Sequence, residues 1–394
     1  MSDVLKQELL STMDVNTYIN LDDLDEDLMD QIKNVSSHPA RALPVIILPD
    51  SHLGYGMPIG CVLATKGAVV PNSVGVDIGC SMSLVKTSVR KEEVTTEQLE
   101  TLVSNIYNTI PVGTNHNKEK QSSPLFDEVR RWSETTVCSN EFESAQYQLG
   151  TLGGGNHFIE IQEGTDGFIY IMIHSGSRNL GYKVCEYYNK MAEDKCTRWF
   201  HSDVVENKLA FFPKGSPWYD KYMKEMSICL DFAKANHFLM QRKVQQCMNL
   251  TLGKDIEYGE KIYTRHNYAS MEHHHNQNVL VHRKGAILVR EGMKAIIPGS
   301  QGTASYVVEG LGNPASLCSA SHGSGRKMSR RRAKAELSLA DEQAKMTGII
   351  HRMNSVDALE EAPSAYKDIE DVIQLESALV KPVLKLKPLA VVKG

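Results

Sequence analysis

Four stretches of the chain gather side chains able to hold cations, phosphates or a covalent group. In Gly75-Val76-Asp77-Ile78-Gly79-Cys80 a carboxylate and a thiol stand three residues apart with a glycine between them. A tight turn there aims both at one point, and thiolate with carboxylate suits divalent ions, the carboxylate favouring harder ones such as Mn²⁺. A turn aspartate beside a buried cysteine is the other reading. The second stretch is Gly153-Gly154-Gly155-Asn156-His157-Phe158-Ile159-Glu160, with His174-Ser175-Gly176-Ser177-Arg178 one strand later. His157 and His174 each fall at a glycine-flanked strand end, where an imidazole is expected to be open to a ligand rather than buried. Regular alternation would put Asn156, Phe158 and Glu160 on one face and His157 and Ile159 on the other, but glycines are expected to distort the start of the strand.

The third stretch, Arg265-His266-Asn267-Tyr268, is followed by Glu272 and the run His273-His274-His275. Neighbours in an extended chain point in different directions, so the triple histidine is expected to be solvated or supporting, with His266 as the ligand. The fourth opens with Ile297-Pro298-Gly299-Ser300-Gln301-Gly302-Thr303-Ala304-Ser305, a small-residue turn whose amides and hydroxyls can meet phosphate oxygens. After it comes Ser321-His322-Gly323-Ser324-Gly325-Arg326, continuing to Arg332. The glycines let a phosphate approach the His322 ring closely, and the cationic stretch offers donors to anions. A solvated basic face is the plainer reading of that stretch.

The elements that must position these groups are legible in outline. Residues 44–48, 60–70 and 168–173 are short apolar runs expected to be buried strands, and strands are expected again at 278–290 and 294–298. Leu99, Leu102, Val103, Ile106 and Ile110 recur at helical spacing, which predicts an amphipathic helix over 95–110. The stretch 219–250 has no proline or glycine and should be the longest helix, or a bent pair. A Lys/Arg-rich helix is expected to begin near Met328. Strands and helices mix without regular βαβ alternation, so the fold class is α+β. No GxGxxG or Walker pattern is present, so a bound nucleotide must be held in another way.

The composition, 41% apolar and 23% charged, is that of a soluble globular protein. With 43 basic and 48 acidic residues and a formal charge of −5, the chain lacks the overall basic field of a non-specific nucleic-acid binder. Any nucleic-acid site must be a local patch. The eight cysteines form no CxxC pair, which suits reduced thiols and a cytoplasmic location; neither a signal-like start nor a membrane-length apolar run is present.

At these clusters the chain resembles the RtcB family of RNA-splicing ligases. The likeness is carried in fixed order by Pro49-Asp50-Ser51-His52-Leu53-Gly54 through Cys80, Leu152 to Arg178, His266 to Arg330, and Val391-Val392-Lys393-Gly394. It implies a single large domain over 1–394, with mixed sheets surrounded by helices and no standard nucleotidyltransferase or Rossmann domain. It implies two manganese ions on Asp77, Cys80, His157, His174 and His266, with Cys80 bridging, and GTP as co-substrate guanylylating His322. The guanosine nucleotide site would comprise Asn156, His157, Phe158, Ile159, Glu160, His266, Asn267, Pro298, Gly299, Ser300, Gln301, Ser305, His322, Gly323, Ser324, Gly325 and Lys393. Within it Glu160 would meet the guanine edge, and Lys393 would fold back to the base. Arg178, Arg326 and Arg330 would contact RNA phosphates. The chain departs from the family pattern at Asn179, usually glycine, at Ser324, usually alanine, and at Gln301, usually methionine; none of these removes a ligand.

The activity so implied joins an RNA 3′-phosphate or 2′,3′-cyclic phosphate end to a 5′-hydroxyl end, through guanylylated His322 and an RNA(3′)pp(5′)G end, in splicing or repair. RNA and GTP are the expected partners, an activating protein factor is a further one, and no membrane is involved. The oligomeric state is left open. A two-metal phosphoesterase and a non-catalytic RNA-binding protein on the same scaffold are the competing readings. Joined product separates the first from a ligase, and loss of a ligand would mark the second.

Overall fold

The apolar run after Pro44 becomes the strand Val45–His52, and the glycine-punctuated stretch beyond it becomes Ile59–Thr65 and Ala68–Val69. The structure, a computed structural model, describes every residue except Met1 and Phe200. Five strands form one sheet in the order Val15–Thr17, Val45–His52, Ile59–Thr65, Gln277–Lys284 and Asn267–His274. Seven form another: Lys294–Ile297, Ser305–Gly310, Val380–Lys393, Phe158–Gly164, Phe168–Ser175, Ser81–Arg90 and Tyr258–Arg265. Every pairing in the seven-stranded sheet is antiparallel, without βαβ crossovers between its neighbouring strands, as the α+β reading expects. Among the described residues no helix is long and apolar enough to cross a membrane.

The helix expected over 95–110 forms as Thr96–Thr109. Thr95 Oγ accepts from the Gln98 amide while the Gln98 side chain accepts from the Thr95 amide, satisfying two end donors reciprocally. The longest helix runs unbroken from Pro217 to Leu252, 36 residues. Ser216 caps it, Pro217 occupies the first turn where its missing N–H costs nothing, and Gly253 at φ +62° ends it. Two expectations are corrected. The run 278–290 is not one strand, because it breaks at Gly285 (φ +64°) into Gln277–Lys284 and Ala286–Leu288. A side chain at 285 would press on Ile59 and come within 2.9 Å of His322 Cε1, so only glycine fits at the break. The basic helix starts only at Arg330, behind its cap Ser329, and is seven residues long.

The long helix is also a spine of buried polar groups. Its Glu225, 1% exposed, accepts the amides of Thr136, Val137 and Cys138 and the hydroxyl of Tyr188. That carboxylate serves as the cap of the helix Val137–Gln148, whose own Thr136 makes no side-chain cap bond. At the middle of the long helix, fully buried Asn236 accepts from the amides of Gly150 and Thr151 and donates to Thr151 O, Ser175 Oγ and Gly176 O. It thereby fastens together the loops that lead to His157 and away from His174.

Candidate active site

Sheet register brings the four stretches to one place. Phe158 and Met82 both pair with His174, and Ser81 pairs with Ser175 and with Arg265. Cys80, His157, His174 and His266 therefore stand at one end of the seven-stranded sheet. The backbone continues the line: His266 N donates to Cys80 O, and Ala286 N donates to His266 O. Ala286 in turn pairs with Ser321, the residue before His322.

The side chains close the circle. His157 Nε2 lies 3.0 Å from Asp77 Oδ2 and 3.5 Å from Cys80 Sγ. His174 Nε2 lies 3.2 Å from Cys80 Sγ and 3.4 Å from His266 Nε2. The His266 and His322 ring centroids are 4.8 Å apart. The loop carrying Asp77 is pinned by Asn267, whose amide donates to Asp77 O at 3.0 Å while its oxygen accepts from Gly285 N at 2.9 Å. At Gly176 any side chain would collide with the Asp77 carboxylate, so a glycine is needed there.

The expectation that His157 and His174 stand open is corrected, since they are 6% and 5% exposed. Their availability comes instead from orientation. His157 Nδ1 bonds Leu152 O at 3.0 Å and His174 Nδ1 bonds Asn156 O at 3.1 Å. A carbonyl only accepts, so each ring donates through Nδ1 and turns Nε2 towards the other ligands, that of His157 meeting the Asp77 carboxylate. Burial, then the neighbouring histidines, hold His174 and His266 well below the usual imidazole range, so both are neutral donors. Burial raises Asp77, but the His157 contact and Arg178 more than offset it and keep the carboxyl ionised. Burial and the Asp77 carboxylate hold the Cys80 thiol well above its ordinary value, and a divalent cation is the usual means by which such a thiol loses its proton.

This donor set fits metal ions. Ligand atoms of Cys80, His157 and His174 lie within 4.8 Å of one another. Asp77 Oδ1 and His266 Nδ1 are buried without a hydrogen-bond partner. Lone pairs aimed at one another in a buried cluster are unfavourable alone and become favourable around cations.

His322 is oriented by a residue the sequence reading did not single out. Asp50, fully buried at the end of Val45–His52, accepts through Oδ2 from the His322 backbone N–H at 3.0 Å and from ring Nδ1 at 2.6 Å. The other ring nitrogen, Nε2, is thus the one with a free lone pair. His322 lines a cavity of about 680 Å³, the size range of small-molecule sites. The same cavity is lined by Asn156 and Phe158, the Pro298–Gln301 turn, the turn through Gly325, and Lys393.

Other expected nucleotide residues lie behind this wall. Ile159 is corrected: it is fully buried in the core cluster with Ile171 and Val392, on the opposite strand face from Phe158. Glu160, 2% exposed, accepts from Gln162 Nε2 at 2.6 Å and is pushed up to about 8 by burial. Ser305 Oγ accepts from Gly299 N and so shapes the phosphate-type turn. Lys393 does fold back, with Nζ 3.6 Å from Glu361 and 6.0 Å from the centre of the Phe158 ring. Arg178 and Arg326 turn onto protein acceptors, Thr151 and Gly113 O for the first and Glu361, Met328 O and Glu360 O for the second. Arg330, half exposed, pairs with Glu361 at 3.1 Å. Ser324 and Gln301, two of the departures, bond Pro298 O and Glu361 O, and the third, Asn179, takes Gln148 Oε1 through its amide. The triple histidine stays outside the site: His273 and His275 are exposed and His274 pairs with Glu272.

Three residues placed at the cavity or against His322 escaped sequence reasoning. Asp50 had a signal, an acid at a strand end next to a His-Leu-Gly turn. Glu361, which gathers Arg326, Arg330, Lys393 and Tyr366, reads as part of an ordinary acidic stretch. Tyr366, whose ring lines the cavity, carries no signal beyond its aromatic character.

Comparison with known proteins gives one consistent answer. A family model described as tRNA-splicing ligase RtcB matches residues 31–139 and 127–394. The chain is 34% identical over 390 residues to the RNA-splicing ligase RtcB of Escherichia coli strain K12, covering 94% of this chain and 95% of that one. It is 32% identical to the tRNA-splicing ligase RtcB of Methanococcus maripaludis, covering 96% and 94%, and 33% identical to that of Nanoarchaeum equitans, covering 92% and 91%.

Proposed function

The chain belongs to the RtcB family of RNA-splicing ligases, and from that premise we propose that it joins RNA 3′-phosphate or 2′,3′-cyclic phosphate ends to 5′-hydroxyl ends, using GTP and manganese. One observation carries the reading: the His322 ring, held through Nδ1 by Asp50, stands 4.8 Å from His266 at the edge of the Asp77, Cys80, His157 and His174 cluster. Those five residues would hold two manganese ions, which offset charge on phosphoryl oxygens.

The His322 Nε2 lone pair forms a bond to the α-phosphorus of GTP as the bond to pyrophosphate breaks. Its Nδ1 proton stays in place, and Asp50 faces the positive charge that develops on the ring. An oxygen of the RNA 3′-phosphate then displaces the imidazole, giving the RNA(3′)pp(5′)G end. The 5′-hydroxyl of the second strand attacks the RNA phosphorus and releases GMP. Phe158 and Tyr366 are the aromatic residues of the cavity wall and would meet a base, while the Pro298–Gln301 turn and Arg330 would offer donors to phosphates. Free cysteines throughout suit a reducing compartment such as the cytoplasm.

The test is ligation of two RNA strands carrying a 3′-phosphate and a 5′-hydroxyl, with GTP and manganese. Joined product is expected from the parent and none from His322→Ala. Opening of cyclic phosphates with no joined product under any condition would instead favour the phosphoesterase.

A further inference from the structure

A second buried carboxyl group lies behind the nucleophile, and no step above uses it. Glu376 caps the C-terminal end of the helix Ile369–Leu375 and is fully buried. Its Oε2 accepts the N–H of Ser321, the residue before His322, at 2.9 Å. The chain on either side, Val372, Ile373, Leu379 and Val380, belongs to the apolar core. The groups acting on Glu376 are Ser321, from the strand Ser319–Ser321, and the carboxylate of Asp50, from Val45–His52; among the described residues no cation pairs with it.

The two carboxyl groups share a defect. Asp50 Oδ1 and Glu376 Oε1 are both buried with no hydrogen-bond partner. Ser321 stands between them, its Oγ accepting the Asp50 N–H at 3.4 Å and its own N–H donating to Glu376. Two ionised carboxylates so placed repel each other without solvent to screen them, and one proton on the pair removes the conflict. That proton belongs on Glu376, because Asp50 Oδ2 accepts two N–H bonds from His322 and is favoured as the anion. A helix C-terminus, where carbonyl ends face outward, also disfavours a negative charge. In agreement, burial, with Asp50 adding to it, pushes the Glu376 carboxyl up to about 8.

We infer that Glu376 is a positioning residue for guanylyl transfer, held as the neutral acid so that Asp50 is the single buried charge facing His322. The inference rests on the function proposed above. Below about pH 8 Glu376 keeps its proton and Asp50 holds the Nδ1–H of His322. Above it, a second negative charge repels Asp50 and adds to the field met by the anionic triphosphate. The guanylylation rate should therefore fall on the alkaline side, roughly tenfold for one pH unit beyond the midpoint. Glu376→Gln keeps the shape and the neutral state, so it should work at pH 7 and lose that decline.

Two measurements test this. The first compares infrared spectra of wild type and E376Q at pH 7 for the carbonyl stretch of a protonated carboxylic acid. Glu160 contributes its own band, so the readout is the part lost in the variant. A lost component that disappears from wild type as pH passes about 8 supports the assignment; no lost component overturns it. The second follows attachment of α-labelled GMP from about pH 6.5 to 9.5. A decline in wild type and a flat E376Q profile support the positioning role, and parallel profiles overturn it. Should E376Q not fold, the low-field proton resonance of His322 Nδ1–H in wild type reports instead. A change centred near pH 8 supports the inference, and an unmoved signal overturns it. Absence of label at every pH would sink the ligase reading and with it the positioning role, while the infrared band would still locate the proton.

Discussion

In the proposed reaction Asp50 selects the nitrogen of His322 that attacks, since its Oδ2 accepts a hydrogen bond from Nδ1–H at 2.6 Å and leaves Nε2 with its lone pair. An amide here would keep its oxygen under both N–H donors of His322, so the variant that tests the role removes the acceptor altogether. Asp50→Ala is expected to lower guanylylation by about a thousandfold or more, by analogy with loss of the tautomer-fixing acid in a catalytic triad. Labelled-GMP attachment within about tenfold of the parent would contradict this role. Lys393→Met should raise the GTP concentration needed for half-maximal labelling while leaving stability nearly unchanged, because Nζ touches Glu361 only at 3.6 Å at the cavity wall. An unaltered GTP dependence would remove Lys393 from the site. At this scale the sequence was informative wherever chemistry and glycine coincide: Asp77 with Cys80, His157, His174, and His322 in its Gly-Ser-Gly turn. Burial of the two histidines was not legible, because it depends on the long helix and the neighbouring strands covering them. Asp50 went unassigned because its partner lies 272 positions away.

Among the elements, the helix Val137–Gln148 depends on a residue it does not contain. Three of its first amides bond the Glu225 carboxylate on the long helix, and removing that group leaves them buried and unpaired. Glu225→Ala is expected to destabilise the protein by about 3 kcal/mol, read as a lower urea midpoint, with Glu225→Gln losing less. A shift within experimental error would mean that water replaces the cap. Periodicity foretold the helices Thr96–Thr109 and Pro217–Leu252, and the Thr95/Gln98 capping pair could be read directly. The break at Gly285 could not. It falls where Ile59, Gly60 and the His322 ring crowd position 285, and local alternation carries no trace of such contacts. The short basic helix expected near Met328 forms from Arg330, and the small offset reflects the Ser329 cap, which charge composition does not reveal.

For the molecule as a whole, acid stability should be governed by neutral histidines in the core. His38 Nε2 donates to Leu209 O while its Nδ1 accepts from Ala40 N, and His282 Nδ1 donates to Leu63 O while its Nε2 accepts from Val70 N. Each ring gives one bond and takes one, so charging it breaks a bond; burial pushes both down to about 4. The unfolded chain binds these protons first, at about 6.5, so their contribution is present above that pH and is lost as pH falls towards 4, on the order of 3 kcal/mol each. Glu160 and Glu376, both raised from 4.5 to about 8, act in the opposite sense, their contribution full below about 4.5 and lost as pH rises to about 8. The comparison is therefore one of slopes. Replacing His38 and His282 by Gln should flatten the fall of the urea midpoint between about pH 6.5 and 4.5, and an unchanged slope would show that neither histidine is held neutral. The broad architecture, α+β with no dinucleotide or Walker motif, was legible from irregular alternation alone. Convergence of the four motifs at one end of the seven-stranded sheet needed the register. That convergence has one direct measurement. After incubation with GTP and Mn²⁺, peptide mass spectrometry should find a guanylyl group on the peptide holding His322 and none on peptides holding His157, His174 or His266. A guanylyl group on another residue, or unmodified His322 in a protein that still joins RNA ends, would contradict the account.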